Sequence, residues 1–112
     1  MSRESKALAA TAPVFAALGD EQRLRLVARL CHEGPQSIAR LTEGSDVTRQ
    51  AVTKHLRVLE GVGLARGERR GREQVWALEP RPLERARDQL QAISRQWDEA
   101  IDRLRAFVED DA

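Results

Sequence analysis

The side chains best placed to do chemistry lie between Thr48 and Glu60, in the run TRQAVTKHLRVLE. Arg49, Gln50, Thr53, Lys54 and Arg57 recur there at spacings of one, three and four, so on a helix they share one polar face. Arginine and glutamine can make paired hydrogen bonds to guanine and adenine edges. Thr48 and Thr53 suit contacts to phosphate or to a thymine methyl. Such a face can recognise an anionic surface rich in acceptors, and duplex DNA fits that description. The ordinary meaning of a charge run is a solvated helix face. Here the signs argue otherwise: no acid joins the face before Glu60, whereas Arg95, Glu99 and Arg103 mix signs further along. A second basic group, Arg69, Arg70 and Arg72, surrounds Gly71. Any one of these could merely solubilise a turn, but as a group they suit phosphates or a narrow minor groove.

Other candidates point elsewhere. Cys31, His32 and His55 are the only soft metal ligands in the chain. Cys31 and His32 are neighbours about 100° apart on a helix, a poor chelating pair. Cys31 is expected as a small core residue, with a thiol switch as its alternative, and His55 as a structural hydrogen-bonding group. Trp76 and Trp97 read as core residues. The sharper reading of Trp97 lines an apolar effector pocket. Asp98, Glu99 and Asp102 resemble a hard-metal patch, but Glu99 precedes Arg103 by four, the favourable ion-pair order. No phosphate loop, nucleophile with base, or paired catalytic carboxylates occurs, so the chain reads as no enzyme and needs no cofactor or metal.

Composition agrees. The 112 residues suit one small domain, and 41% hydrophobic with 33% charged residues is the balance of a soluble helical protein. One cysteine, no apolar run of membrane length and no signal-like start make it cytoplasmic by expectation. The net charge of +1 conceals an asymmetry. Residues 48–79 have seven basic against four acidic side chains, or +3, while residues 80–112 have six against eight. Positive charge concentrates around the polar face.

The elements that must position these groups are legible from punctuation. Gly19-Asp20 closes the apolar segment TAPVFAAL, and Asp20 caps a helix whose expected stripe is Leu24, Val27, Leu30 and Cys31. After Gly34-Pro35, Ser37 caps a short helix with Ile38 and Leu41. Residues Glu43 to Val47 turn the chain, and Thr48 caps the next helix, which buries Val52, Leu56 and Leu59, with Ala51, Val58 and Val62 widening the stripe. Two helices about a tight turn make a helix-turn-helix unit. LARGERRGREQVWAL then reads as a hairpin with Leu64, Trp76 and Leu78 inward and Gly71 at its tip. After Glu79-Pro80-Arg81-Pro82 a long helix begins. Its seam, Leu83, Ala86, Leu90, Ile93, Trp97, Ala100, Leu104 and Phe107, is too long for one small subunit to cover, so a homodimer is expected through it.

This order, with ALGDEQRLRLVARL, SIARL and Thr53-Lys54-His55-Leu56 followed by Gly61-x-Gly63-Leu64 and an arginine-rich hairpin, resembles the ArsR/SmtB-type repressors over about residues 8 to 108. The resemblance implies a mainly α winged helix-turn-helix with a β-hairpin wing, dimerised through terminal helices. Residues 1–112 are then a single domain, about 8–79 carrying the helices and wing and 80–109 the dimerisation helix. It implies a homodimeric bacterial regulator that reads an operator with Thr48, Arg49, Gln50, Thr53, Lys54, Arg57, Arg69, Arg70 and Arg72, and dimerises on Leu83, Leu90, Ile93, Trp97, Ala100, Leu104 and Phe107. Metal-sensing members carry cysteines in the short helix or carboxylate and histidine ligands on the last helix. Here the short segment is PQSIARL, and residues 80–112 hold no histidine or cysteine. The expectation is a repressor of a short inverted-repeat operator without the usual metal sites and with no effector identified. The alternatives are a protein-binding winged helix and a thiol- or small-molecule-responsive repressor.

Overall fold

Hydroxyl and carboxylate caps divide the chain as their spacing predicts. The computed structural model describes residues 2–44 and 46–110, in the order α1 (Arg3–Leu18), α2 (Glu21–Glu33), β1 (Gln36–Ser37), α3 (Ile38–Thr42), α4 (Arg49–Gly61), β2 (Ala65–Arg70), β3 (Glu73–Leu78) and α5 (Pro80–Asp110). Asp20, Ser37 and Thr48 each accept a backbone N–H three residues on, at 3.0, 3.2 and 3.1 Å, and so start α2, α3 and α4. Ser2 does the same for α1, which starts well before the apolar segment that signalled it. The expected turn over Glu43–Val47 includes Ser45, which lies outside the described residues.

The core gathers Val14 and Ala17 of α1, Leu26, Val27 and Leu30 of α2, Leu41 of α3, and Val52, Leu56 and Leu59 of α4. Leu64, Ala65 and Trp76 of the hairpin close it, with Ala86 of α5. Three expectations are corrected here. Leu24 is 53% and Val58 40% exposed, and Cys31 is exposed. At about 100° per residue Leu26, Val27 and Leu30 define the buried side of α2, and Leu24 and Cys31 fall on its far flank. Val58 likewise lies beyond the Val52–Leu56–Leu59 stripe.

The hairpin is as read, with a third strand that the pattern did not show. β2 pairs antiparallel with β3 from Ala65↔Leu78 to Arg70↔Glu73, leaving the two-residue turn Gly71-Arg72. Gly71 has φ +63°, the conformation such a turn needs. β1 adds Gln36↔Trp76 and Ser37↔Val75 to the other side, so the order is β1-β3-β2. Gly67 stands opposite Trp76. A Cβ there would sit 2.6 Å from Gln74 Nε2 and 3.1–3.2 Å from the indole, so only glycine admits the ring without displacement.

α5 begins at Pro80, where a missing N–H is harmless. Its 31 residues extend about 46 Å, which makes the subunit elongated at 66 × 34 × 20 Å. α1 packs antiparallel on its first half. Thr11, buried, bonds to Gln89, and Gln96 donates to Glu4 near the start of α1. Beyond Gln96, α5 runs past the end of α1. Among the described residues no helix is long and apolar enough to cross a membrane.

Candidate nucleic-acid interface

The polar face of α4 stands opposite its buried stripe of Val52, Leu56 and Leu59. Arg49, Gln50 and Lys54 are exposed, and among the described residues their side chains have neither a hydrogen bond nor an ion pair. Their donors are therefore presented outward. The hydroxyl of Thr48 accepts the Ala51 N–H, yet its proton remains free to be donated to a phosphate. Thr53 is half-buried. Arg57 is exposed but engaged. Its Nη1 lies 2.9 Å from Glu60 Oε1, and its guanidinium sits 5.2 Å from the centroid of the Trp76 ring.

The opposite flank of α4 is tied to the α1–α2 junction through His55, as the expected structural hydrogen bond. Its Nδ1 lies 3.5 Å from Arg23 Nη1 and 3.9 Å from Asp20 Oδ2. Arg23 Nε donates to the Ala17 carbonyl at 2.7 Å. The Arg23 backbone N–H, which Asp20 accepts in capping α2, holds that carboxyl below its ordinary 3.8, with the Arg23 guanidinium and His55 adding attraction.

Pairing register sorts the wing. Residues opposite each other share a sheet face, so Arg69 and Gln74 lie on the face of Trp76 and Gly67, the side towards α4. Arg66, Glu68 and Arg70 occupy the other face, where Arg70 lies 3.5 Å from Glu68, and Arg66 reaches Glu79 at 3.2 Å. Arg72 is in the turn, exposed. The three arginines that the sequence groups together are thus not equivalent.

Along α5 the expected seam divides. Ala86 is buried, and Leu83, Ile93 and Ala100 are half-buried. Leu90, Trp97, Leu104 and Phe107 are 54%, 66%, 64% and 69% exposed, so Trp97 is no core residue within one subunit. Ile101 and Val108, which the seam omitted, join the stripe at 39% and 66%. A straight helix drifts about 20° per heptad against a 3.5-residue repeat, which carries these two onto it. Between Phe15, Leu18, Leu83, Ala86 and Leu90 lies an open apolar groove of about 560 Å³. No group of three or more histidine, cysteine, aspartate or glutamate side chains among the described residues could hold a metal ion. Glu99 and Arg103, four apart, are exposed and form no ion pair among them.

The family described as helix-turn-helix domain matches residues 18–68, from the end of α1 into β2. The HTH-type transcriptional regulator YuzN of Bacillus subtilis is 34% identical over 76 residues, 62% of this chain and 83% of its own length. The HTH-type transcriptional regulator Rv2034 of Mycobacterium tuberculosis is 35% identical over 85 residues, 76% of each chain. An ArsR-like transcriptional regulator from Rhodococcus sp. RHA1 has a structure that matches with a TM-score of 0.68 at 33% identity, covering 86% of this chain and 90% of that one.

Proposed function

The chain belongs to the ArsR-type winged helix-turn-helix family of DNA-binding transcriptional regulators, and from that premise we propose that it acts as a homodimeric repressor of a short inverted-repeat operator. Arg49, Gln50, Thr53 and Lys54 of α4 read base edges in the major groove, and Arg57 shares that face. Thr48 anchors the start of the helix to phosphate, and the wing, with Arg69, Arg70 and Arg72, adds backbone attraction. The observation that carries this reading is the set of donors on Arg49, Gln50 and Lys54 that have no partner among the described residues, next to a basic hairpin.

Dimerisation rests on α5. Its uncovered stripe, Leu90, Trp97, Ile101, Leu104 and Val108 with Phe107 beside it, wants an apolar partner, and an antiparallel second α5 supplies one. Such pairing brings the overhanging Leu104 and Val108 of one copy over the groove at Phe15, Leu83 and Ala86 of the other. The two recognition helices are then related by a two-fold axis and meet half-sites about one DNA turn apart. Repression follows from occupancy of the operator, in the cytoplasm. PQSIARL and residues 80–112 lack the family's usual ligands, so release does not run through those metal sites.

The test is selection of bound duplexes from random DNA, followed by titration against salt. Enrichment of an inverted repeat, bound by two copies with a steep salt dependence, is the expected result. Recovery of no preferred sequence would refute base reading.

A further inference from the structure

We propose that Arg57 is a positioning residue: its guanidinium, laid on the indole of Trp76, fixes the angle between α4 and the wing, and so acts on DNA through the wing tip. This rests on the wing contacting DNA, as proposed above.

Arg57 differs from its neighbours on α4. Among the described residues Arg49, Gln50 and Lys54 have no side-chain hydrogen bond or ion pair. The Arg57 guanidinium is held at two points, by Glu60 at 2.9 Å and over Trp76 at 5.2 Å. Trp76 in turn is fixed: it lies in the centre strand, paired with Gln36 on one side and Gly67 on the other, and is 1% exposed. Its indole Nε1 is buried without a hydrogen-bond partner among the described residues. A phenylalanine would fill much of this space without leaving an N–H unsatisfied. What the indole adds is the best π-face for a cation, and Arg57 occupies it.

The lever then runs outward. Arg69 and Gln74 are the next pair beyond Trp76 on the same sheet face, with the Gly71-Arg72 turn at the end. From Trp76 to the tip is three to four residues, about 12 Å of strand. A tilt of ~10° at the clasp therefore moves the tip by ~2 Å, enough to lose a phosphate hydrogen bond. Glu60 keeps Arg57 from swinging away from the ring towards solvent.

A double-mutant cycle on the selected operator tests this. One arm is Arg57→Met, which keeps length and removes charge. The other is a tip variant bearing Arg69→Ala, Arg70→Ala and Arg72→Ala. Arg57→Met is expected to shift the Trp76 indole N–H resonance and to weaken operator binding about two- to fivefold, the scale of one exposed cation–π contact. In the tip variant the same change should alter neither affinity nor salt slope, and Arg57→Lys should restore part of the loss in the wild-type background. An equal loss in both backgrounds would mean that Arg57 touches DNA directly, and would overturn the proposal alone. A tip variant that binds like wild type would overturn the wing reading and the proposal with it. An unchanged indole resonance would show that no clasp exists.

Discussion

Replacing Leu104 with alanine should loosen the proposed dimer and leave the subunit intact. Leu104 is 64% exposed in one subunit, and the shallow groove at this point is lined only by α5 itself: Ile101, Leu104, Arg105, Val108 and Glu109. Full burial of a leucine stabilises by about 1.5–3 kcal/mol, so covering the exposed two thirds is worth ~1–2 kcal/mol per copy by the same measure. A two-fold interface counts the residue twice, or ~2–4 kcal/mol, and at about 1.4 kcal/mol per tenfold the dissociation constant rises roughly 30- to 700-fold. Leu104→Glu goes further, because an unpaired charge at a packed seam opposes association by several kcal/mol more. Sedimentation over a concentration series, beside thermal unfolding and operator titration, reads all three consequences. Expected are a monomer with an unchanged unfolding midpoint under monomeric conditions and specific affinity lowered by orders of magnitude, since the second half-site contact is no longer linked. A Leu104→Glu protein that remains dimeric with full operator affinity would refute the reasoning and place the interface elsewhere.

Arg49→Ala and Gln50→Ala should each lose about 1–3 kcal/mol of discrimination at particular base pairs, as base-edge contacts do; equal losses on random DNA would argue against base reading. Arg69→Ala should lower the logarithmic salt slope by ~0.9 on any sequence, and by more than Arg70→Ala, because Arg70 already faces Glu68 on the far side of the sheet. The ranking is read from titrations at several salt concentrations. Asp20→Asn keeps a capping oxygen but removes a titrating group. Because the folded carboxyl lies below its ordinary 3.8, its contribution is complete above that value and is lost as the pH falls through the lower folded pKa. The stability difference between wild type and Asp20→Asn in urea should thus be constant near neutrality and fade in acid, and a difference that grew in acid would contradict the sign.

What was legible in the sequence was whatever local chemistry decides. Caps at Asp20, Ser37 and Thr48, the Gly71 turn and the proline start of α5 each act within a few residues, and each stands where its residue type put it. What was missed depends on the third dimension. β1 has two residues, too few for any alternation to register. On α2, Leu24, Leu26, Val27, Leu30 and Cys31 cover so much of the circumference that periodicity could not say which flank faces inward. Gly67 gave no signal of its own, and the register opposite Trp76 explains it. The arginines of the wing read as one patch because sequence carries charge without direction, whereas pairing assigns Arg69 and Arg70 to opposite faces. The polar, exposed character of the α4 face was legible for a related reason: an absence of acids is a linear property.

The small strand β1 also determines what can move. Ser37 pairs its backbone with Val75 while its hydroxyl caps α3, so the start of the helix-turn-helix and the root of the wing are stitched through one residue. With His55 joined to the α1–α2 junction on the other side, the reading head behaves mechanically as a solid block. A displacement of α5 is then passed on through these ties. In the proposed dimer such a displacement would change the relative pose of the two reading heads, their separation and mutual rotation, which would make the operator a gauge: the spacing between half-sites, more than their sequence, is what an allosteric input would detune.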